Sequence, residues 1–416
     1  MITSLQLKNF RAVDDLAISF PASSSSGDDS TGFPSPTVLF FGANAQGKTT
    51  LLEGLHLLLT GRSFRTGILD QLIGPKDEGM LARGTLSLEI GNDRSAHHIG
   101  MQKRKRAKLQ ASLDGAPIKS SMALARLLPV QVVDHQSLQL VLGEPGVRRR
   151  FLDWGAFHVE HQYGTLFKKW HSALTQRNAL LKIVKRGKEL NGEQELRAWT
   201  ETYATLSVKV ARVRERYFAM YIAYLGAQSP EGSSPASTTA TRTIDLGTSG
   251  LKHCSLTLKH GFAFDADLPD AELVKIFLDE LAAKRDVEVV LGRTHSGPQR
   301  AELVMNTDGQ VAKEILSRGQ CKLLAALLLL HQVRHLRQCS HAAPAIVLVD
   351  DITAELDNER AADLLQKLSS ACSQLFVTAL AADQGDLPPF LADLHEAPST
   401  ATFHVEHGGV RAVTKA

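Results

Sequence analysis

The stretch Gly42-Ala43-Asn44-Ala45-Gln46-Gly47-Lys48-Thr49, followed by Thr50, decides how this chain is read. It fits GxxxxGK[ST] in full, directly after the apolar run 38–41 and at the head of a helically patterned segment, 48–60. Strand, glycine turn and helix in that order make a phosphate cradle. The glycines let successive backbone amides point inward, and the helix N-terminus adds partial positive charge. Gly42, Ala43, Asn44, Ala45, Gln46, Gly47, Lys48, Thr49 and Thr50 are therefore the candidate nucleotide-binding residues. Lys48 would reach the β and γ phosphates of ATP, and Thr49 would ligate Mg2+. The bland alternative is a glycine turn that merely starts a helix; the strand and helix on either side argue against it.

Further along, Ala345-Ile346-Val347-Leu348-Val349-Asp350-Asp351 is an apolar run ending in two carboxylates. A buried parallel strand reads this way, and ligands bind at the C-terminal ends of such strands. Asp350 joins Thr49 as a candidate metal residue, through water. Asp351 joins Lys48 as a candidate catalytic residue that orients or deprotonates an attacking water. Taken alone, a strand running into an acidic helix cap fits as well. About thirty residues earlier, Leu316-Ser317-Arg318-Gly319-Gln320 opens a strongly apolar helix and is similar to the ABC signature LSxGQ. Ser317, the Gly319 amide and Gln320 are suited to hold a γ-phosphate. In isolation Ser317 is an N-cap. Ala354-Glu355-Leu356-Asp357 lies where a D-loop belongs, and Gln374-Leu375-Phe376-Val377-Thr378 is the next strand. Thr378 stands where most ABC ATPases carry a γ-phosphate-sensing histidine, so one element of fast hydrolysis is missing.

Composition narrows the class. The 416 residues suffice for a large core and suggest two domains. Hydrophobic content of 43% and charged content of 22% are those of an ordinary soluble protein, and a net charge of +3 makes any basic surface local. The opening MITSLQLKNF lacks the pattern of a signal peptide, and the apolar run 323–330 is too short to cross a bilayer. Cys254, Cys321, Cys339 and Cys372 are scattered, which fits neither a disulfide framework nor a zinc site and agrees with a reducing cytoplasm.

Residues 1–20 read as two strands around a turn at 13–15, and 81–118 alternate like sheet. The stretch 21–36 is a Ser/Gly/Pro-rich loop, and 227–243 is another polar break. Long helical faces cover 146–226, with a further helix near 270–285. From 316 the chain reads as helix 321–338, strand 345–349, helix 358–372 and strand 374–378, an α/β half.

These motifs, in this order, resemble the RecF family within the SMC-like branch of ABC ATPases. Leu7-Lys8-Asn9-Phe10-Arg11 is similar to the family's opening LxNFR, and Thr60-Gly61-Arg62-Ser63-Phe64-Arg65 to its stretch after the P-loop helix. Arg148-Arg149-Arg150-Phe151-Leu152-Asp153 is similar to ERRRFLD, and Ser296-Gly297-Pro298-Gln299-Arg300 to GPHR, with Gln299 in place of His. Asp134-His135-Gln136 stands in place of a PED-like stretch, so the Q-loop glutamine is Gln136 or Gln131.

The resemblance implies an α/β fold, an ABC-ATPase head (P-loop sheet plus antiparallel β subdomain) with an inserted helical arm domain. The head would take 1–145 and 291–416, the latter with the signature and the carboxylate strand, and the arm 146–290. It also implies an ATP-dependent DNA clamp in recombinational repair and replication restart. ATP binding drives head-to-head homodimerisation, with Ser317 of each copy capping the ATP on Lys48 of the other. The clamp engages duplex DNA and single-strand/duplex junctions at gaps, and helps RecO and RecR load RecA. Slow, DNA-stimulated ATP hydrolysis resets it. Membrane partners are not implied.

Other signals are weaker. Residues 103–108 hold five basic residues in six, either a DNA grip or a solvated hairpin tip. Residues 146–186 carry nine Lys/Arg against two Asp/Glu, either a backbone track or a solvated helix face. Arg11 is either a nucleotide contact or a strand-end salt bridge. The pairs His158/His161 and His404/His407 lack a third ligand and read as incidental. The main rival is the nucleotide-binding subunit of an ABC transporter. That class usually has Glu after the first carboxylate and His at the switch strand, where this chain has Asp351 and Thr378. A P-loop metabolic kinase has no use for a signature serine. A purely structural ATP scaffold would not need Lys48, Thr49, Asp350 and Asp351 together.

Overall fold

The computed structural model of the chain describes residues 1–20, 33–90, 93–118, 120–185, 192–227, 242–244, 254–339 and 344–415. The stretches 21–36 and 227–243 fall largely outside these residues. The chain folds into two compact units, one made of 1–138 with 322–416 and the other of 139–321.

The first unit holds two sheets. One is antiparallel and runs, in spatial order, Val13–Ser19, Ile2–Phe10, Gly79–Ile90, Asp93–Arg104, Gln110–Leu113 and Ala116–Pro117. The turn at its start sits at Arg11 and Ala12, with Phe10 paired to Val13, rather than at 13–15. Asp14 and Asp15 look like turn residues in the sequence, but they occupy exposed positions of a strand whose Val13, Leu16 and Ile18 are buried.

The other sheet carries the phosphate loop. Its order is Gly409–Val413, Thr400–Glu406, Thr37–Gly42, Gln374–Leu380, Ile346–Val349 and Val130–Val133. Every neighbouring pair is parallel except the C-terminal hairpin between Thr400–Glu406 and Gly409–Val413. Ile346–Val349 is buried at every position, as a central parallel strand requires. The helix Lys48–Thr60 follows the loop and stops at Gly61, whose φ of 70° closes it in the left-handed region. Its leucines 51, 52, 55, 57, 58 and 59 share one core with Ile2, Leu5 and Leu7 of the antiparallel sheet and Phe40, Leu348 and Phe376 of the parallel one. Burial of each such side chain is worth roughly 1.5–3 kcal/mol. The expected P-loop sheet and antiparallel subdomain thus meet on this helix.

The second unit contains the expected helices, Pro145–Val159, Tyr163–Lys185, Gly192–Ala227 and Asp270–Ala283. It also contains an antiparallel sheet of Gln310–Val311, Glu302–Thr307, Cys254–Lys259 and Arg242–Ile244, which the sequence reading did not anticipate. Within this unit Arg177 pairs with Glu288 at 2.6 Å, both fully buried, and Thr200 and Thr294 each accept a further guanidinium proton. Arg214 grips Asp153 through two hydrogen bonds of 2.8 and 3.0 Å. Arg148 is held by Glu302 and Arg149 donates to the Ala301 carbonyl. Arg148, Arg149 and Arg177 of the basic stretch 146–186 are therefore spent inside the unit, whereas Arg150, Lys168, Lys169, Lys182 and Lys185 are exposed.

Candidate functional site: a phosphate loop with a braced carboxylate pair

The phosphate loop leaves the strand Thr37–Gly42 between close neighbours. A Cβ on Gly42 would lie 2.3 Å from the Val405 carbonyl oxygen, so no larger residue fits. Ala43, Asn44 and Ala45 are exposed, and Ala45 turns the chain with φ 62°. Gly47 takes φ 110°, which a side chain rarely tolerates, and starts the helix. Gln46 is clamped by the C-terminal hairpin. Its side-chain oxygen accepts from the His407 amide at 2.6 Å and its carbonyl from the Gly408 amide at 2.9 Å. This clamp was invisible in the sequence, since more than three hundred residues separate its two sides.

Lys48 is 8% exposed, and its ammonium donates to the Gly42 and Ala43 carbonyls at 2.7 and 2.8 Å. Burial lowers its proton affinity, while the charges of Asp351 and Asp350 oppose that change. Thr49, one residue on, donates to Asp350 Oδ1 at 3.0 Å, and Thr50 is buried beside it. Residues from both ends of the sequence thus meet at one end of the parallel sheet.

Asp350 and Asp351 leave the strand Ile346–Val349 in different ways. Asp350 is 6% exposed, and burial pushes its carboxyl above the usual range. Asp351 sits in the left-handed region with φ 53°, a strained conformation for a residue with a side chain, and heads the short helix Ile352–Glu355. The Asp350 carboxylate and the Thr49 hydroxyl form a hard, all-oxygen donor set. Magnesium is usually held by one or two carboxylates together with substrate phosphates, so these residues fit it. Among the described residues no cluster of three or more His, Cys, Asp or Glu offers a metal site instead.

Thr378 lies in the strand Gln374–Leu380, next to the strand that ends in the carboxylate pair. It is fully buried and hydrogen-bonds both carboxylate residues, a role the sequence did not disclose. Asp134, at the end of the neighbouring strand Val130–Val133, is also buried, and burial raises its carboxyl; it accepts from the Ser137 hydroxyl and amide. Of the two Q-loop candidates, Gln136 is exposed in the turn after this strand, and Gln131 donates to the Val132 carbonyl. Arg11 makes a two-pronged ion pair with Glu53 of the phosphate-loop helix, a carboxylate that also accepts from Ser63 and Arg65. Of the basic run 103–108, Lys103 lies within the strand Asp93–Arg104, is 5% exposed and is paired to Asp70. Lys103 is thus no part of a hairpin tip, whereas residues 104–106 and 108 are exposed.

In the second unit, Ser317 and Gln320 form a capping box at the head of the helix Arg318–Gln338. The Ser317 amide donates to Gln320 Oε1 at 2.9 Å and the Gln320 amide to Ser317 Oγ at 3.3 Å. Ser317 and Gly319 are exposed, and a Cβ on Gly319 would meet nothing closer than Ser317 Oγ at 4.0 Å. The side chains of Ala354 and Glu355 lie outside the described residues.

The family model described as RecF/RecN/SMC N terminal domain matches residues 1–386. The DNA replication and repair protein RecF of Hahella chejuensis (strain KCTC 2396) is 34% identical over 377 residues, covering 90% of this chain and 93% of that protein. The protein of the same name from Stutzerimonas stutzeri (strain A1501) is 32% identical over 378 residues, covering 91% and 92%. A solved structure described as the recombination mediator protein RecF-ATP in the RecFOR pathway matches with a TM-score of 0.80 at 20% identity, covering 99% of this chain and 97% of that one, a likeness of fold. The kinship in sequence reaches from the first strand through the phosphate loop to the carboxylate pair and beyond, and it places this chain in the RecF family of DNA replication and repair proteins, within the RecF/RecN/SMC group of ATPase heads.

Proposed function

We propose that this chain is an ATP-switched DNA clamp of replication and recombinational repair. The observation that carries the reading is the meeting of Thr49, Asp350 and Asp351 beside Lys48 at one end of the parallel sheet. Lys48 would exchange its two loop carbonyls for β and γ phosphate oxygens, and the amides from Gly42 to Thr50 would cradle them. Magnesium, when bound by Thr49 and Asp350, would neutralise charge on those phosphates. Asp351 would orient the attacking water.

The exposed Ser317 and Gly319, with the half-buried Gln320, would serve a second copy of the chain. ATP would then join two heads, and nucleotide and dimer affinities would be linked. Segment 146–290 would form the arm, with 1–145 and 291–416 as the head. By kinship with RecF proteins, the clamp would engage duplex DNA and single-strand/duplex junctions at gaps and act with RecO and RecR to load RecA. Slow hydrolysis would reset it.

Sedimentation with ATP and duplex DNA tests the reading. The parent chain dimerises only with ATP. Ser317→Arg binds ATP but stays monomeric, because a bulky cation replaces the cap. Asp351→Asn binds ATP, dimerises and persists on DNA. Normal dimerisation of Ser317→Arg, or dissociation of Asp351→Asn as fast as the parent, rules out the sandwich.

A further inference from the structure

We propose that Thr378 is a positioning residue that holds the Asp350 carboxylate and the Asp351 backbone, with Thr353 holding the Asp351 side chain, and so sets metal dependence and turnover without touching nucleotide. The proposal rests on the ATPase reading above and deepens it.

Hydrogen-bond directions around Thr378 are forced. The Asp351 amide can only donate, and it reaches Thr378 Oγ1 at 2.8 Å. The hydroxyl is therefore the acceptor there. Its single proton goes to Asp350 Oδ1, also at 2.8 Å, since an ionised carboxylate can only accept. Thr378 has no second proton to offer a phosphate, and it is fully buried. A histidine-like sensing role is excluded by this count.

Thr353 repeats the pattern one step further along. It accepts from the Leu380 amide at 3.4 Å and donates to Asp351 Oδ1 at 3.1 Å. The two threonines thus bind the ends of the strands Ile346–Val349 and Gln374–Leu380 together through the carboxylates. One hydroxyl fixes the Asp351 backbone in its left-handed conformation, and the other fixes its side chain. Asp350 Oδ1 takes both the Thr378 and the Thr49 protons, so Oδ2 has no hydrogen-bond donor among the described residues. The brace therefore decides which carboxylate oxygen faces a cation. A mere strand-end filler would need neither bond.

The test compares Thr378→Val and Thr378→Ser in the full chain, with ATP in Mg2+ or in EDTA. Valine keeps the shape and removes the hydroxyl; serine keeps the hydroxyl. For Thr378→Val, the Mg2+ concentration that half-saturates ATP binding rises about tenfold, as loss of a charge-assisted hydrogen bond implies. Its kcat falls at least about tenfold with KM for ATP little changed. ATP binding in EDTA stays within about twofold of the parent, because Lys48 and the loop are untouched. Thr378→Ser returns all values to within about threefold of the parent. Parental Mg2+ dependence and turnover in Thr378→Val overturn the proposal. So does loss of EDTA binding in that variant, or failure of serine to rescue, since either marks a packing role. A parent chain without Mg2+-dependent ATP binding overturns the ATPase reading itself, and the brace with it.

Discussion

Thr49 donates its hydroxyl proton to Asp350 across 301 residues of chain, at 3.0 Å. A hydrogen bond to a charged group is worth about 1.5–3 kcal/mol and is coupled to whatever else that group holds. Thr49→Val and Asp350→Asn should each weaken Mg2+-dependent ATP binding by about tenfold or more, with the double variant little worse than the poorer single one. Titration calorimetry of all four chains checks this. Strict additivity would show that the two residues do not share a metal.

Lys48→Met should leave the fold intact, because among the described residues the ammonium bonds only the carbonyls of its own loop. ATP affinity should fall by about two orders of magnitude, the equivalent of one or two charge-assisted hydrogen bonds. Circular dichroism and fluorescent-ATP binding on the same preparation measure both. Unchanged affinity would sink the nucleotide assignment.

The basic run divides by burial. Lys103→Ala should lower the melting temperature by breaking its pair with Asp70, which draws the Asp70 carboxyl below its usual range. Arg104→Ala, Lys105→Ala and Arg106→Ala should leave stability alone, since all three are exposed. If they grip DNA, the triple variant should flatten the slope of log K against log salt by about 0.9 for each phosphate that is no longer neutralised. An unchanged slope moves the DNA surface elsewhere, with Arg150, Lys168 and Lys169 the next candidates, all exposed.

Burial, aided by the charges of Arg334 and Lys367, pushes His331 down to about 4. In the unfolded chain its pKa is about 6.5. The folded state therefore refuses a proton that the unfolded state takes up. This contribution to stability is complete above pH 6.5 and is lost as pH falls toward 4, by at most about 1.4 kcal/mol per pH unit. His331→Leu should show a shallower fall in melting temperature between pH 6.5 and 4.5. Equal slopes for the two chains would mean that the imidazole takes up its proton as readily in the fold as in the unfolded chain.

Local signals were legible wherever one element carried its own reason. The phosphate loop, its helix Lys48–Thr60 and the strand before Asp350 lie where residue type and spacing put them, because each depends on neighbours a few residues away. The early turn is not legible, because Asp14 and Asp15 look like loop residues and yet serve the solvent face of a strand. The sheet of the second unit is not legible in the sequence, because Cys254–Lys259 pairs with Glu302–Thr307, too far along the chain for any short pattern to reveal.

The amino-acid sequence by itself determined that a phosphate loop, an acidic strand end and a signature-like helix head coexist in this chain, and its kinship follows from their order. Tertiary structure alone decided what each group does with its protons. Only the parallel register of Gln374–Leu380 beside Ile346–Val349 brings the Thr378 hydroxyl within reach of both carboxylate residues. Only the antiparallel register that sets Lys103 opposite Met80, with the turn carrying Asp70 nearby, turns one lysine of a basic run into a buried ion pair. A residue's chemistry is written in its type, but whether it faces solvent, phosphate or a fixed partner depends on how segments far apart in the chain pack together.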